Sequence, residues 1–199
     1  MNLSKSSTFL LNTIPLGNIN RFKLYYDHVV CEDLIIKQNY NTICQLPSFK
    51  KIIVNTSSKL YLLDKKYILP SILGVEMITG QKPRLTYVKK SIASFKIREN
   101  QLLGCKVTLR GSSLFLFLDL FITIILPRLR EFSGISTKSF DKSGNFSLGL
   151  SNLMIFPELE NHFEFFELFK GFNINFEISG SNLDDITLLY TAFQLPRNS

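Results

Sequence analysis

The sequence predicts an α+β fold, in which helices and an antiparallel sheet are interleaved along one chain. Segments with apolar residues at helical spacing are interspersed with short segments that alternate between apolar and polar side chains. Two of the alternating segments lie five residues apart, a spacing typical of a β-hairpin. The chain has 199 residues, of which 45% are hydrophobic and 20% charged, so it can bury a substantial core. These observations favour an α+β class over a disordered chain.

The first elements follow from periodicity and from the residues that end them. Apolar residues at helical spacing predict a helix over residues 21–38, and a strand over 49–55 follows Pro47. A second helix is expected from the N-cap Asp64 to residue 79, closed by Gly80. Pro70 falls inside it and is expected to kink or restart it.

The next two segments predict a hairpin with one charged face. Residues 93–98 and 104–110 each alternate between apolar and polar side chains, and residues 99–103 would form the loop between them. If these two strands pair, one face of the hairpin is apolar and the other carries four cations. Those cations are Lys96, Arg98, Lys106 and Arg110.

The most apolar run, residues 114–126, predicts a core helix. Its large hydrophobes recur at helical spacing, Ser112 or Ser113 can cap its start, and Pro127 is expected to end it. The run has 13 residues and includes Asp119, whereas a membrane span needs about 20 apolar residues. The sequence therefore predicts no membrane anchor in this run.

Four elements are predicted after a long polar stretch. They are a strand near 145–150, an acidic helix over 158–170, a strand over 172–178, and a last helix capped by Ser181 or Asn182. The second strand would bury Phe172, Ile174, Phe176 and Ile178, and the last helix would place Ile186, Leu189, Tyr190 and Phe193 inside.

Charge is distributed unevenly along the chain, whose net charge is +7. Residues 1–142 carry 21 basic and 9 acidic side chains, and residues 143–199 carry 2 and 7. The densest basic window, 82–110, holds eight cations and one acid. Such asymmetry predicts that the first part binds a polyanion. A basic face that is merely solvated is the alternative interpretation.

Signals for catalysis, cofactors and metals are weak. Three cysteines without a CxxC pair, together with His28 and His162, indicate neither a zinc site nor a disulfide framework. No glycine-rich phosphate loop occurs, and no nucleophile lies in a recognisable catalytic pattern. We therefore expect no enzyme, no cofactor and no metal. An RNA-modifying enzyme, a further alternative, would need one of these features.

Several motifs, in order along the chain, closely resemble the bacterial-type ribosomal protein L5 family of the large subunit. The resemblance spans about residues 21–196, so that a single domain over 21–197 is expected after a flexible N-terminal extension over 1–20. The motifs are YYDHVV (25–30), QLPSFKKIIVN (45–55), TGQKP (79–83), KKSIASFKIRE (89–99), GCKVTLRG (104–111), LPRLREFSGISTKSFD (126–141), GNFSLG (144–149) and IFPEL (155–159).

The resemblance implies an antiparallel sheet with helices on one face and an open face toward RNA. It implies a structural role in the central protuberance, where the partners are 5S rRNA or a substitute RNA, large-subunit rRNA, peptidyl-site tRNA, neighbouring ribosomal proteins and one protein of the small-subunit head. Asn55, Gln81 and Thr108 would lie on the face that binds 5S rRNA, and Lys82, Arg84, Lys89 and Lys90 would approach tRNA. The subunit interface would use residues 130–145, including Arg130, Lys138, Lys142 and Asn145.

Three segments depart from the family pattern. The turn after Asn55 reads NTSSKLY (55–61) without the family's glycines, residues 141–146 (DKSGNF) lack an arginine, and residues 160–169 match weakly. The last segment is rich in Phe, and a non-ribosomal module that docks proteins through exposed Phe residues is the alternative function.

Composition also predicts an organelle. The chain has 18 Phe but two Ala, a bias toward AT-rich codons, and residues 1–20 have one cation and make a poor transit peptide. A mitochondrial ribosome is expected first and a plastid one second.

Overall fold

The computed structural model describes residues 20–129, 134, 140–151, 153–166, 171–180 and 182–196, without the side chain of Leu63. Residues 1–19 of the predicted extension lie outside this set, as do the predicted interface residues Arg130 and Lys138. Asn20 is described and buried, and its side-chain Nδ2 donates a hydrogen bond to the carbonyl of Ser112 at 2.9 Å.

Five antiparallel strands form one sheet in the order β2-β3-β1-β5-β4. Their bounds are β1 Ser48–Ser57, β2 Arg84–Tyr87, β3 Leu102–Leu109, β4 Phe146–Leu150 and β5 Phe172–Ser179. Strand β1 lies at the centre and makes the two longest strand pairings. Its Val54 is opposite Val107 of β3 on one side and Ile174 of β5 on the other. The predicted strands at 49–55, 145–150 and 172–178 are confirmed.

Helices cover one face of this sheet. Helix α1 runs continuously through Arg21–Tyr25, Tyr26–Val30 and Cys31–Lys37, with a π-helical middle. Helix α2 (Leu60–Leu63) and a 3₁₀ turn (Lys65–Tyr67) precede α3 (Ile68–Thr79). The remaining helices are α4 (Ser112–Leu120, continuing through a π-helical Phe121–Ile125 to Leu126–Arg128), α5 (Pro157–Glu160), α6 (Phe163–Phe166) and α7 (Leu183–Ala192).

The core lies between the helices and the covered face of the sheet. Alternate strand residues such as Ile52, Val107 and Phe176 are buried there, and the aromatic ring of Phe176 lies 5.3 Å from Phe121 and 5.4 Å from Phe146. All eight apolar residues predicted to be inside β5 and the last helix are buried. Alternation within each strand therefore leaves its polar side chains on the opposite, open face.

The predicted hairpin partner is wrong. Residues 93–95 form a 3₁₀ turn rather than a strand, and β3 pairs with β2 on one side and β1 on the other. Strand β2 pairs with β3 because Leu85, opposite Cys105, extends the apolar face that the helices cover. Phe95 does not extend this face, and its side chain is 63% exposed. Lys96 and Arg98 therefore do not share a sheet face with Lys106.

Two helix boundaries also differ from prediction. Helix α4 passes Pro127 and ends at Arg128, one residue beyond the proline expected to end it. The helix predicted from Asp64 begins as the 3₁₀ turn and restarts as α3 at Ile68, which confirms the predicted restart. Pro70 lies in the first turn of α3, where a missing N–H breaks no helical bond. Asp64 makes no side-chain capping bond, and the predicted acidic helix is divided into α5 and α6.

Within the described ranges, no helix is long and apolar enough to cross a membrane.

Candidate RNA interface

The open face of the sheet carries one row of polar side chains across four strands. The pairing register places Arg84 of β2, Lys106 of β3, Asn55 of β1 and Asn173 of β5 side by side. Neighbouring strands lie about 4.8 Å apart, so the row spans roughly 15 Å. Two cations and two amides therefore face the same side of the sheet in adjacent positions.

A second row runs parallel to the first. It contains Thr108 of β3, Ile53 of β1, Asn175 of β5 and Ser147 of β4. Its hydroxyl and amide groups can donate or accept hydrogen bonds, and Ile53 is half-buried between them. The two rows together combine positive charge with uncharged polar groups.

The cations on this face differ in whether an acid neutralises them. Lys51 of β1 pairs with Glu177 of β5, with Nζ 2.7 Å from Oε2. Arg84 and Lys106 are exposed, and neither makes an ion pair with any carboxylate in the described part of the chain. The unneutralised positive charge is therefore concentrated at the β2–β3 side.

A shallow depression of about 390 Å³ lies at the other end of the first row. Asn55, Ser57 and Asn173 contribute polar groups to it, and Gly149 and Gly171 are among the other residues that line it. Because these glycines carry no side chain, a ligand can approach the main chain there. The depression can receive a flat polar group such as a base edge or a sugar.

The segment between β2 and β3, residues 88–101, forms a projecting basic loop. At its base the backbone N–H of Val88 donates to the carbonyl of Gln101 at 2.9 Å, and the N–H of Asn100 donates to the carbonyl of Val88 at 3.1 Å. Ile92 and Ile97 pair as an isolated bridge around the 3₁₀ turn Ala93–Phe95. Its four cations, Lys89, Lys90, Lys96 and Arg98, are all exposed. Two of its apolar side chains are exposed as well, Phe95 at 63% and Ile92 at 46%.

The other predicted site residues lie around these two features. Gln81 and Lys82 are exposed between α3 and β2, and Arg110 is exposed one residue beyond β3. Lys142 is exposed in the turn before β4. Asn145 is half-buried, and its Oδ1 accepts a hydrogen bond from the backbone N–H of Ile178 at 3.2 Å, so this side chain joins the β4 end to β5.

The comparisons with known proteins agree with this architecture. The sequence profile of ribosomal protein L5 matches residues 43–98, and the profile of the C-terminal part of the same family matches residues 102–196. Large ribosomal subunit protein uL5m of Prototheca wickerhamii is 39% identical over 222 residues, covering 99% of this chain and 95% of that protein. The chain belongs to the ribosomal protein L5 family.

Two further relatives show how widely this similarity extends. Protein uL5m of Reclinomonas americana is 39% identical over 90% of this chain and 99% of its own length. Protein uL5 of Neisseria meningitidis is 38% identical over 88% of this chain and 97% of its own length. The similarity thus covers nearly the whole chain and includes both mitochondrial and bacterial members.

Membership of the L5 family defines the general role of the chain. It is a structural, non-catalytic constituent of the large ribosomal subunit, in a setting of rRNA and other ribosomal proteins. This favours the ribosomal prediction over the alternative of a non-ribosomal interaction module. In the described residues, no group of three His, Cys, Asp or Glu side chains could hold a metal ion.

The L5 fold also adds residues that the sequence did not single out as a site. Asn173 and Asn175 are brought beside Asn55 and Ile53 by the β1–β5 pairing. Their alternation marked them as polar positions of a strand, but nothing local indicated the partner strand. Nothing in the sequence marked Phe95 or Tyr87 as exposed, because apolar residues in alternating segments are expected to be buried. The side chain of Tyr87 is 55% exposed.

Proposed function

We propose that the open face of the sheet binds 5S rRNA in the central protuberance of the large subunit. The observation that supports this most strongly is the row of Arg84, Lys106, Asn55 and Asn173, in which two exposed cations lack an acidic partner and adjoin two amides. The implications of the family resemblance, with Asn55 and Thr108 on this face, point the same way.

The chemistry of the two rows suits a folded RNA. Arg84 and Lys106 neutralise backbone phosphates and release their counterions, which supplies most of the affinity. Asn55, Asn173, Asn175 and Thr108 can form hydrogen bonds with base edges or with 2′-hydroxyls, which are accessible where RNA is irregular. Phosphate contacts would position the RNA, and the amides would discriminate among its nucleotides.

The basic loop, residues 88–101, is proposed to contact peptidyl-site tRNA. Lys89, Lys90, Lys96 and Arg98 are exposed in the same loop as the exposed ring of Phe95. Cations next to an exposed aromatic ring bind backbone phosphates and stack on unpaired bases. Lys82 and Arg84, before and within β2, extend this basic surface toward the sheet.

The turn before β4 is proposed to face the small-subunit head. Lys142 is exposed there and can pair with an acidic or phosphate group of the partner. Asn145 contributes by holding the turn against β5 through its bond to the Ile178 N–H. The other two residues of this proposal, Arg130 and Lys138, lie outside the described residues.

A mitochondrial ribosome in the matrix is the proposed location. Two of the similar proteins are mitochondrial uL5m chains, and they cover 99% and 90% of this chain. The AT-rich amino-acid bias is consistent with an organellar gene. Purified mitochondrial and plastid ribosomes, analysed by mass spectrometry, would distinguish the two organelles.

The test of RNA binding compares two double variants in salt titrations with 5S rRNA. Arg84→Ala with Lys106→Ala should lower affinity and reduce the slope of log affinity against log salt by roughly two, about one per lost phosphate contact. A control, Lys23→Ala with Lys37→Ala, removes two exposed cations from α1, of which Lys37 pairs with Asp33, and should change both quantities little. If the first pair behaves like the control, the sheet face does not bind this RNA.

A further inference from the structure

A stripe of exposed apolar side chains runs along α3, on the helical side of the molecule. Leu69, Leu73 and Met77 are 56%, 45% and 42% exposed, although the helix buries Ile68, Val75 and Ile78 on its other side. Residues four apart lie on one face of a helix, so the three side chains line up over about 12 Å. Such a row is larger than the isolated exposed hydrophobes that soluble proteins commonly carry.

A second apolar pair lies on the element packed beside α3. Helices α5 and α6 both lie against α3, anchored by the buried side chains of Leu159 and Phe166. Phe163 and Phe165 of α6 are instead 55% and 61% exposed. Two neighbouring elements therefore expose five large apolar side chains, although the same fold buries many others completely.

The charge around these side chains is opposite to that of the sheet face. Residues 68–79 and 157–166 contain no Lys or Arg, in a chain whose net charge is +7. Glu76 lies three residues after Leu73 and so borders the stripe. Lys65 and Lys66, before the start of α3, are the nearest cations in sequence. The acids of the two segments are Glu76, Glu158, Glu160 and Glu164. Arg128 of α4 pairs with Glu160 at 3.3 Å, and one carboxylate oxygen of Glu158 is buried. Glu76 and Glu164 therefore carry the free negative charge.

The negative charge around the stripe indicates which kind of partner can bind there. An RNA phosphate backbone or an anionic lipid surface would be repelled by Glu76 and Glu164, which pair with no cation in the described part of the chain, and a second copy of this chain would bring the same acids to the contact. A partner with apolar residues flanked by Lys or Arg would bury the stripe and pair with the acids. An amphipathic helix does this with one face, by placing its apolar side chains against a row spaced four residues apart.

We propose that α3 and α6 form a protein-docking surface for a basic amphipathic helix of a neighbouring ribosomal protein. The surface comprises Leu69, Leu73 and Met77 with Phe163 and Phe165, bordered by Glu76 and Glu164. The L5-family chain then has two opposed interfaces: RNA binds the open face of the sheet, and a protein binds the helices on the covered side.

Photo-crosslinking in assembled large subunits tests the surface directly. A benzophenone amino acid replaces Leu73 in one full-length variant and Leu116, which is 55% exposed on α4, in the control. Position 73 should crosslink to one ribosomal protein, at a segment with more Lys and Arg than Asp and Glu, and position 116 should not yield that adduct. An adduct with rRNA, with residues 1–19 of this chain or with a second copy would overturn the proposal, as would the absence of any adduct.

Substitutions then test the apolar and the charged parts separately. Leu73→Glu with Met77→Glu should lower the amount of the crosslinked protein in purified subunits at least tenfold, whereas Leu73→Met and Leu116→Glu should preserve it. Glu164→Lys should also lower it, whereas Glu32→Lys on α1 should not. Unchanged occupancy in both the double variant and Glu164→Lys would refute the proposal.

The proposals for the two interfaces can be tested and refuted independently. Affinity of the purified variants for 5S rRNA reports the sheet face, and occupancy of the neighbouring protein reports the helical surface. The α3 variants should bind 5S rRNA as the wild type does, which also shows that they are folded. The Arg84→Ala, Lys106→Ala variant should keep the Leu73 crosslink in any subunits that contain it.

Discussion

The two faces of the central sheet are built from the same strands but perform different tasks. In β5, Phe172, Ile174, Phe176 and Ile178 are buried under the helices, and the residues between them face outward. Asn173 and Asn175 lie on that outer side, next to residues of β1. A single step along the strand therefore separates a residue that holds the fold together from one that is available to a ligand.

This comparison teaches that stability and binding are separable at the level of single residues. The covered face is apolar and closely packed, so changes there alter the free energy of unfolding. The open face is polar and solvated, so changes there leave the fold intact and alter contacts with a partner. Substitutions of adjacent residues can therefore break one property and spare the other.

The largest effect is expected at Phe176. Phe176→Ala removes a ring that contacts Phe121 and Phe146 and leaves a cavity, which should cost about 3–5 kcal/mol of unfolding free energy. The neighbouring Asn175→Ala should change it by less than about 0.5 kcal/mol. Urea denaturation followed by circular dichroism measures both. Similar losses for the two variants would contradict the separation of the faces.

A smaller loss of unfolding free energy is expected for a substitution at Gly104, where two strands approach closely. A Cβ on this residue would lie 2.0 Å from the backbone carbonyl oxygen of Thr56, so Gly104→Ala must shift β1 or β3 and should cost about 3 kcal/mol. Gly149→Ala is the matched control, because its Cβ would meet only the movable Asn173 Oδ1 at 3.3 Å within the described residues. Equal stability of the two variants in urea would show that the strands separate easily at Gly104.

The smallest expected effect on the free energy of unfolding depends on pH and comes from Cys105, on the covered face. Burial raises the pKa of the Cys105 thiol from 9.0 to about 11, since a thiolate is poorly solvated there. The unfolded chain therefore loses this proton first, and stability should be complete below pH 9 and decline as the pH rises toward 11. Each pKa unit corresponds to about 1.4 kcal/mol, so the part of the decline that comes from Cys105 is at most about 2.7 kcal/mol.

Two variants isolate the contribution of this thiol. Cys105→Ala should reduce the decline between pH 9 and 11, measured as urea midpoints at each pH. The part that remains comes from groups whose pKa values are raised as well, Cys31, Tyr26 and Tyr190 among them. Cys44→Ala removes an exposed thiol and should keep the wild-type decline. Burial also raises the pKa of Tyr26 and Tyr190, so both variants should retain a further loss at higher pH. An undiminished decline in Cys105→Ala would assign the effect to Cys31 and the tyrosines.

Much of the fold could be predicted because the pattern of each element is local. Period-two alternation identified β5 and its buried residues, and helical spacing identified α1, α4 and α7. The hairpin prediction was wrong, because residues 93–98 alternate as well as Arg84–Tyr87 does. Which of two similar segments pairs with β3 depends on packing across the sheet, where Leu85 continues the covered face and Phe95 does not.

Part of the candidate site could be predicted as well, because it depends on the same local patterns. Asn55, Lys106 and Thr108 were singled out from motifs and alternation, and the structure does place them on one open face. Asn173 became their neighbour only through the pairing of β1 with β5, strands separated by more than a hundred residues. No sequence pattern encodes that register, since it arises when the apolar sides of both strands are buried together.

The family, the α+β class, the excess of positive charge in residues 1–142 and the face of each strand residue can all be read from the amino-acid sequence. These depend on the order and chemistry of neighbouring residues. The three-dimensional packing was needed to show which strands adjoin, that Lys96 and Arg98 belong to a projecting loop, and that an apolar, acidic surface lies on the covered side. These depend on contacts between distant segments, whose burial and register are settled when the whole core is packed.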